Sequence, residues 1–316
     1  MNKLSVFTAP KPFTEAHINR IQRNAIRSWL EMGDEVEVLL VGDEEGIADA
    51  AAALGVTHVP GVAKNKQGTP LVSSIFELAC ENSRADLFLF SNTDMLFMPE
   101  TLGLALQMKQ RADDFVLLGQ RYDLDVDTEI DFSPGWDKRL LGEVVHRGRL
   151  HPMGGSDYFL FPSGLFSQIP DFAIGRAGWD NWMIYHALAE GSLVVDATPS
   201  LVAIHQNHGY QHLAGEDGHQ RHPETLENLE LAGGMRKMFS LLDVKYQLKD
   251  GKIRRISWSL ARFLRGIEQR LQPDELVGRG PRWWLLRSVR KLRRALQKYE
   301  MKADRFLPIY RSDKQP

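Results

Sequence analysis

The sequence predicts an α/β fold, a mostly parallel sheet flanked by helices, followed by a helical C-terminal extension. Three observations predict it. Short apolar runs alternate with stretches of helical period over residues 1–125, the pattern of βαβ units. The 316 residues are 43% hydrophobic and 25% charged, an ordinary globular composition that excludes disorder, collagen and a disulfide-stapled miniprotein. Charge is divided unevenly: residues 252–316 carry 18 Lys and Arg against 6 Asp and Glu, a net of +12, leaving a net of −14 upstream. The chain therefore divides into residues 1–250, an acidic α/β part, and 251–316, a basic amphipathic extension.

The elements follow in order. Leu4 to Ala9 reads as a strand, and Thr14 to Met32 as a helix with Ile18, Ile21, Ala25 and Trp29 on one stripe. Glu35 to Val41 is a second strand, followed by an alanine-rich helix to Leu54 and a short strand from Thr57 to Val59. Leu71 to Asn82 reads as helix, and Asp86 to Ser91 is the most strand-like run in the chain. Further on, Tyr158 to Phe161, Leu193 to Asp196 and Leu201 to Ile204 read as strands and Trp179 to Glu190 as a helix.

In such sheets ligands gather at the carboxyl ends of the strands, so the loops there matter most. They are Thr8-Ala9-Pro10-Lys11-Pro12, Gly42-Asp43-Glu44-Glu45-Gly46 and Asn92-Thr93-Asp94. None is a GxxxxGK[ST] or GxGxxG phosphate cradle. A bound phosphate then needs another partner, and a carboxylate-held divalent cation is the common one.

Asp94 lies between two apolar segments, where a carboxylate needs a metal ion or backbone N–H groups to satisfy it. A strand-end turn capped by Asn92 and Asp94 explains the same pattern. His205 follows the apolar run Leu201 to Ile204 and is expected to emerge at a strand end. Asp with His suits Mn²⁺ better than Ca²⁺. The competing reading is an exposed His-rich stretch, because His208, His212, His219 and His222 follow. With Cys80 the only cysteine, neither an internal disulfide nor a cysteine-based zinc site is expected. Asp180, in Gly178-Trp179-Asp180-Asn181-Trp182, reads as a helix N-cap or as a general base desolvated by the flanking indoles.

Taken in order, these features resemble the GT-A-type glycosyltransferases, Rossmann-like enzymes, and most generally the family 2 group that uses nucleotide-diphosphate sugars. The resemblance spans Leu4 to His208 and rests on the acidic loop after the second strand, Asn92-Thr93-Asp94, the run Gly154-Gly155-Ser156-Asp157-Tyr158-Phe159-Leu160-Phe161-Pro162, Ile169-Pro170-Asp171-Phe172 and Gly178 to Trp182. It implies that Asp94 and His205 hold Mn²⁺ or Mg²⁺ against the donor diphosphate. Asn92, standing where the family's motif has an acid, would bond the donor ribose or sugar. Thr8 and Asp43 would contact the nucleoside, and Asn65 to Thr69 would lie beside the donor. Asp180 matches the second residue of the family's acidic pair, with Trp179 in place of its partner, and would be the catalytic base. Asp157 and Trp179 would face the acceptor, although Asp157 also reads as a plain turn residue. The implied activity moves a sugar to a glycan or lipid-linked acceptor, with inversion and retention both open. A sugar nucleotidyltransferase and a non-catalytic sugar-nucleotide- or glycan-binding protein are the alternatives.

The tail carries two amphipathic patterns. Ile256, Leu260, Phe263, Leu264, Ile267 and Leu271 form the first; Leu285, Val289, Leu292, Leu296 and Tyr299, with Trp283 and Trp284 at the start, form the second. Arginines and lysines fill the gaps, which suits an anionic membrane surface, packing on the acidic catalytic part, or a second subunit in an oligomer. The absence of a base-reading motif argues against nucleic acid. No run approaches a membrane span or a signal-peptide core, so a cytoplasmic protein, peripheral at the inner membrane face, is expected.

Overall fold

The structure, a computed structural model, describes residues 2–208, 222–275 and 278–303. His212 and His219 lie outside the described residues. Among the described residues, the strands are β1 (Leu4–Thr8), β2 (Val36–Val41), β3 (Thr57–Val59), β4 (Leu87–Ser91), β5 (Met95–Phe97), β6 (Phe115–Leu118), β7 (Tyr122–Leu124), β8 (Arg149–Leu150), β9 (Tyr158–Pro162), β10 (Leu193–Asp196), β11 (Ala203–Gln206), β12 (Tyr246–Lys249) and β13 (Lys252–Arg255). The helices are α1 (Ala16–Leu30), α2 (Ile47–Leu54), α3 (Val72–Glu81), α4 (Thr101–Lys109), α5 (Trp136–Arg147), α6 (Trp179–Ala189), α7 (Pro223–Leu231), α8 (Leu260–Leu271) and α9 (Pro281–Ala303).

The expected α/β architecture is present, with a mostly parallel sheet in the order β13-β12-β10-β6-β9-β4-β1-β2-β3. β1, β2, β3 and β4 run parallel, as do β6, β10 and β12. β9 is antiparallel to both β4 and β6. The β12–β13 hairpin turns at Asp250 and Gly251, and Asp250 takes a positive φ of 50°. The carboxyl ends of β1, β2 and β4 share one edge, the edge on which sequence reasoning places the ligand.

Both faces of the sheet are covered. α1 buries Ile18, Ile21, Ala25 and Trp29 on one side, and its N-terminus is capped by Glu15, which accepts from the backbone of His17 and Ile18. The opposite face is an aromatic cluster in which Phe7 meets Phe76 edge-on at 4.9 Å and Phe76 stacks on Phe161 at 5.7 Å. Each such pair contributes about 1 kcal/mol beyond burial, which suits strands as short as five residues.

A second sheet, β5-β11-β7-β8, carries the site, and sequence periodicity does not announce it. Its strands are two to four residues long, too short for a period to show. One expected boundary moves as a result. Ser200 and Leu201 both donate backbone N–H to Ala197 O at 2.8 Å, so a turn holds Leu201 and the strand begins at Ala203. His205 is therefore inside β11, paired with Met95 and Asp123, rather than emerging at a strand end.

The C-terminal extension packs on the upstream part. Arg262 donates from Nη1 to the carbonyls of Leu242 and Val244 at 2.9 and 2.7 Å, and Arg265 grips the Asp243 carboxylate. α8 and α9 pack on each other around Glu268, which is 3% exposed and meets Arg265, Arg290 and Arg293.

Candidate functional site

Asp94 sits in the turn between β4 and β5, and α1 holds that turn from below. Trp29 Nε1 donates to Met95 O at 2.8 Å, and the Phe97 N–H donates to Ser28 Oγ at 3.2 Å. Thr8 Oγ1 and Thr93 Oγ1, 2.7 Å apart, tie the ends of β1 and β4 together. From above, the Gln206 N–H donates to Asp94 O at 3.0 Å. Gln206 is itself fixed by its Nε2 donating to Ile21 O and its Oε1 accepting from Asn24. The backbone carrying Asp94 is thus clamped between α1 and β11.

Two histidines converge on this carboxylate. His208 Nε2 is 2.9 Å from Asp94 Oδ2, and His205 Nε2 is 3.6 Å from the same atom. The ligand atoms of Asp94, His205 and His208 all lie within 4.8 Å of one another. Asp94 Oδ1 is buried and has no hydrogen-bond partner among the described residues. A two-imidazole, one-carboxylate set with an unspent buried oxygen fits a divalent cation such as Mn²⁺. Burial alone would raise the Asp94 carboxyl, but the hydrogen bonds and charges of His205 and His208 hold it well below the usual carboxylate range. Burial likewise pushes His205 down, yet Asp123 and Asp94 lift it to about 9.

His205 faces a second carboxylate on its other nitrogen, with Nδ1 3.4 Å from Asp123 Oδ1. That arrangement, a ring nitrogen toward a carboxylate and its opposite toward the ligand set, orients metal-binding imidazoles. Asp123 also takes Arg121 Nε at 3.0 Å and His151 Nδ1 at 2.8 Å. Burial opposes ionisation of Asp123, but hydrogen bonds with His151 and His205 and the Arg121 charge keep it well below the usual range.

Arg121 carries the network onward by pairing its Nη1 with Asp157 Oδ1. The same oxygen accepts from Asn92 Nδ2 at 2.9 Å, and the Asn92 N–H donates to Asp157 O at 3.0 Å. Asp157 is thereby locked beside the end of β4, and its charge acts on Asp180. The Ser156 N–H donates to Asp180 Oδ2 at 3.2 Å. Gly178, with φ of 108°, caps α6, so Asp180 falls in the helix's first turn rather than at the N-cap read from the sequence. Burial, reinforced by Asp157, pushes the Asp180 carboxyl up to about 6 against its backbone hydrogen bonds.

The other expected residues occupy different surroundings. Both Asp43 oxygens accept backbone N–H bonds, from Gly61 and Val62 at 2.9 and 3.1 Å, which pins the chain after β3 to the end of β2. Asn65 Oδ1 accepts from the N–H groups of Gln67 and Thr69, and its Nδ2 donates to the buried Glu224 at 2.7 Å. Arg176 joins Glu224 from the other side at 2.7 Å, so the Asn65–Thr69 loop is fastened to α7. Trp179 is 5% exposed and lies edge-on to Phe90 at 5.3 Å, a core position rather than a cleft wall.

Sequence reasoning did not single out His208, Asp123, Arg121 or His151. The His205-x-x-His208 spacing is a signal that could have separated His208 from the histidines after it. Arg121, Asp123 and His151 come together only through the second sheet, where β7 pairs with β8 and β11.

No family model and no curated protein matches the chain. Similar solved structures include the crystal structure of S. aureus TarS 1-349 in complex with UDP-GlcNAc, 16% identical, covering 73% of this chain and 65% of that one with a TM-score of 0.45. The crystal structure of S. aureus TarS is 17% identical over 65% of this chain and 37% of that one, TM-score 0.41. A further TarS 1-349 structure is 15% identical over 66% and 59%, TM-score 0.37. The chain thus spans less than two thirds of the length of each.

Proposed function

We propose that the chain is a glycosyltransferase that moves a sugar from a nucleotide-diphosphate donor to a glycan or lipid-linked acceptor, with the help of a divalent cation. The observation that carries this reading is a network of hydrogen bonds and ion pairs from Asp94, His205 and His208 through Asp123 and Arg121 to Asp157, whose neighbour Ser156 donates its backbone N–H to the raised carboxyl of Asp180. It joins a cation site to a base site across the edge where the parallel strands end.

Mn²⁺ or Mg²⁺ held by Asp94, His205 and His208 would offset the negative charge that grows on a departing diphosphate. The remaining roles belong to side chains. Asp180 accepts the proton of the attacking hydroxyl at its carboxylate, and a pKa near working pH is what a general base requires. Asp157, immobilised by Asn92 and Arg121, holds that hydroxyl in line. Asn92 borders the donor sugar. Thr8 and Asp43 flank the nucleoside at the ends of β1 and β2, and the Asn65–Thr69 loop closes beside it.

Release of nucleoside diphosphate from a panel of nucleotide sugars, UDP-GlcNAc among them, tests the proposal in the presence of Mn²⁺ and candidate acceptors. Turnover is expected with at least one donor and is expected to vanish in Asp94→Ala and Asp180→Ala. Donor-dependent thermal stabilisation without release would identify a sugar-nucleotide-binding protein instead; neither signal with any donor overturns the reading.

A further inference from the structure

α9 turns a mixed side inward, with Leu286 fully buried and Val289 and Leu296 half-buried beside Arg290, Arg293 and Gln297. Leu286, Arg290, Arg293 and Gln297, spaced along one side of the helix, face α8. Arg290 Nε and Arg293 Nε donate to Glu268 at 2.9 and 2.7 Å. Arg290 also meets Gln272, and Arg293 donates to Gln297 at 3.0 Å. A buried carboxylate stripped of its partners costs several kcal/mol, so Glu268 fixes the rotation of α9 about its axis. The opposite side is then forced outward. Trp284, Leu285 and Leu292 are 68, 44 and 53% exposed, and the exposed Arg287, Lys291 and Arg294 flank them.

A water-facing helix ordinarily turns such residues into the core. Here the rotation set at Glu268 buries Leu286 but leaves Trp284, Leu285 and Leu292 in solvent, with three exposed cations beside them. We propose that this face of α9 is a contact surface for an anionic lipid bilayer. Trp284, Leu285 and Leu292 enter the boundary between headgroups and acyl chains, while Arg287, Lys291 and Arg294 meet lipid phosphates. Charge complementarity selects that occupant: residues 252–316 carry a net of +12, and no helix among the described residues is long and apolar enough to cross a membrane. The contact is interfacial, and it stands independently of the proposed reaction.

Co-sedimentation of the full chain with vesicles tests it, using phosphatidylcholine alone and phosphatidylcholine mixed with phosphatidylglycerol. Binding to the anionic vesicles and little to the neutral ones is expected, weakening as salt is added. Trp284→Ser combined with Leu285→Gln and Leu292→Gln is expected to lower partitioning by about tenfold or more. All three positions are exposed, so folding should survive, as circular dichroism and the melting temperature would confirm. Arg287→Ala with Lys291→Ala and Arg294→Ala is expected to abolish the preference for anionic lipid. No binding to either vesicle, or binding untouched by both variants, overturns the proposal. So does a dimer in light scattering that the apolar substitutions dissociate, which would assign the face to a second copy of the chain.

Discussion

The Oδ2 atom of Asp180 lies where a Cβ of residue 155 would have to go. Glycine is the residue that leaves that space to the carboxylate, and the Ser156 N–H beside it points at the same oxygen. Gly155→Ala is therefore expected to push the Asp180 side chain off its position while leaving the sheet intact. Under the proposed function the turnover number should fall by about a hundredfold, because a misplaced base loses orientation rather than binding. Unchanged donor KM with reduced kcat is the outcome that checks it.

Asp180→Asn separates catalysis from stability. The folded-state pKa is raised from 3.8 to about 6, so between these values the folded chain binds a proton that the unfolded chain has released. This carboxyl therefore favours folding least above about pH 6, where burial of its charge costs on the order of 3 kcal/mol. Asp180→Asn should raise the melting temperature at pH 8, lose that advantage below about pH 4, and abolish transfer at both. Wild-type kcat should rise with pH through about 6.

The proposed cation site has a readout that needs no activity. Mn²⁺ in hundredfold excess over its dissociation constant should stabilise the chain by about 3 kcal/mol, seen as an upward shift of the thermal midpoint. Asp94→Ala, His205→Ala and His208→Ala should each remove the shift. A shift that survives all three places the ion elsewhere.

Asp123 is expected to act through His205 rather than on a ligand. Asp123→Asn keeps the size of the side chain but removes the charge facing Nδ1, and Mn²⁺ affinity should fall by about 10- to 100-fold. Calorimetric titration with the metal alone would measure it. Rescue by Asp123→Glu would assign the effect to charge rather than packing.

Glu268→Ala should be among the most destabilising single substitutions in the extension. It leaves Arg293, 9% exposed, without its carboxylate, and truncating one side of such a buried pair costs about 3–5 kcal/mol. Urea unfolding would report it as a lower midpoint for the whole chain or as a separate early transition of the extension.

Much of the framework can be read directly from the chain. The strands at Leu4, Val36 and Leu87 stand within one residue of where apolar runs place them, because these runs are long enough for burial to dominate local preference. Asp94 and His205 were legible for the same reason, each following an apolar run. The second sheet was not, and with it went Asp123, Arg121 and His151. Strands of two or three residues carry no period, and their pairing is decided by distant partners such as Phe97 and Ala203. Asp180 illustrates the opposite error. The helix begins at Trp179 as its pattern reads, but Gly178 in the left-handed conformation takes the cap, which leaves Asp180 in the first turn.

The reversed direction of β9 has a geometric consequence for the site. Its pairing sets Tyr158 against Ser91, so the beginning of one strand adjoins the finish of another, and Gly155 to Asp157 arrive next to Asn92 without any crossover. Laid the other way, the same five residues would carry Asp157 to the far rim of the sheet, about 20 Å distant. One inverted ribbon thus lets a stretch more than sixty residues downstream share an edge with Asp94.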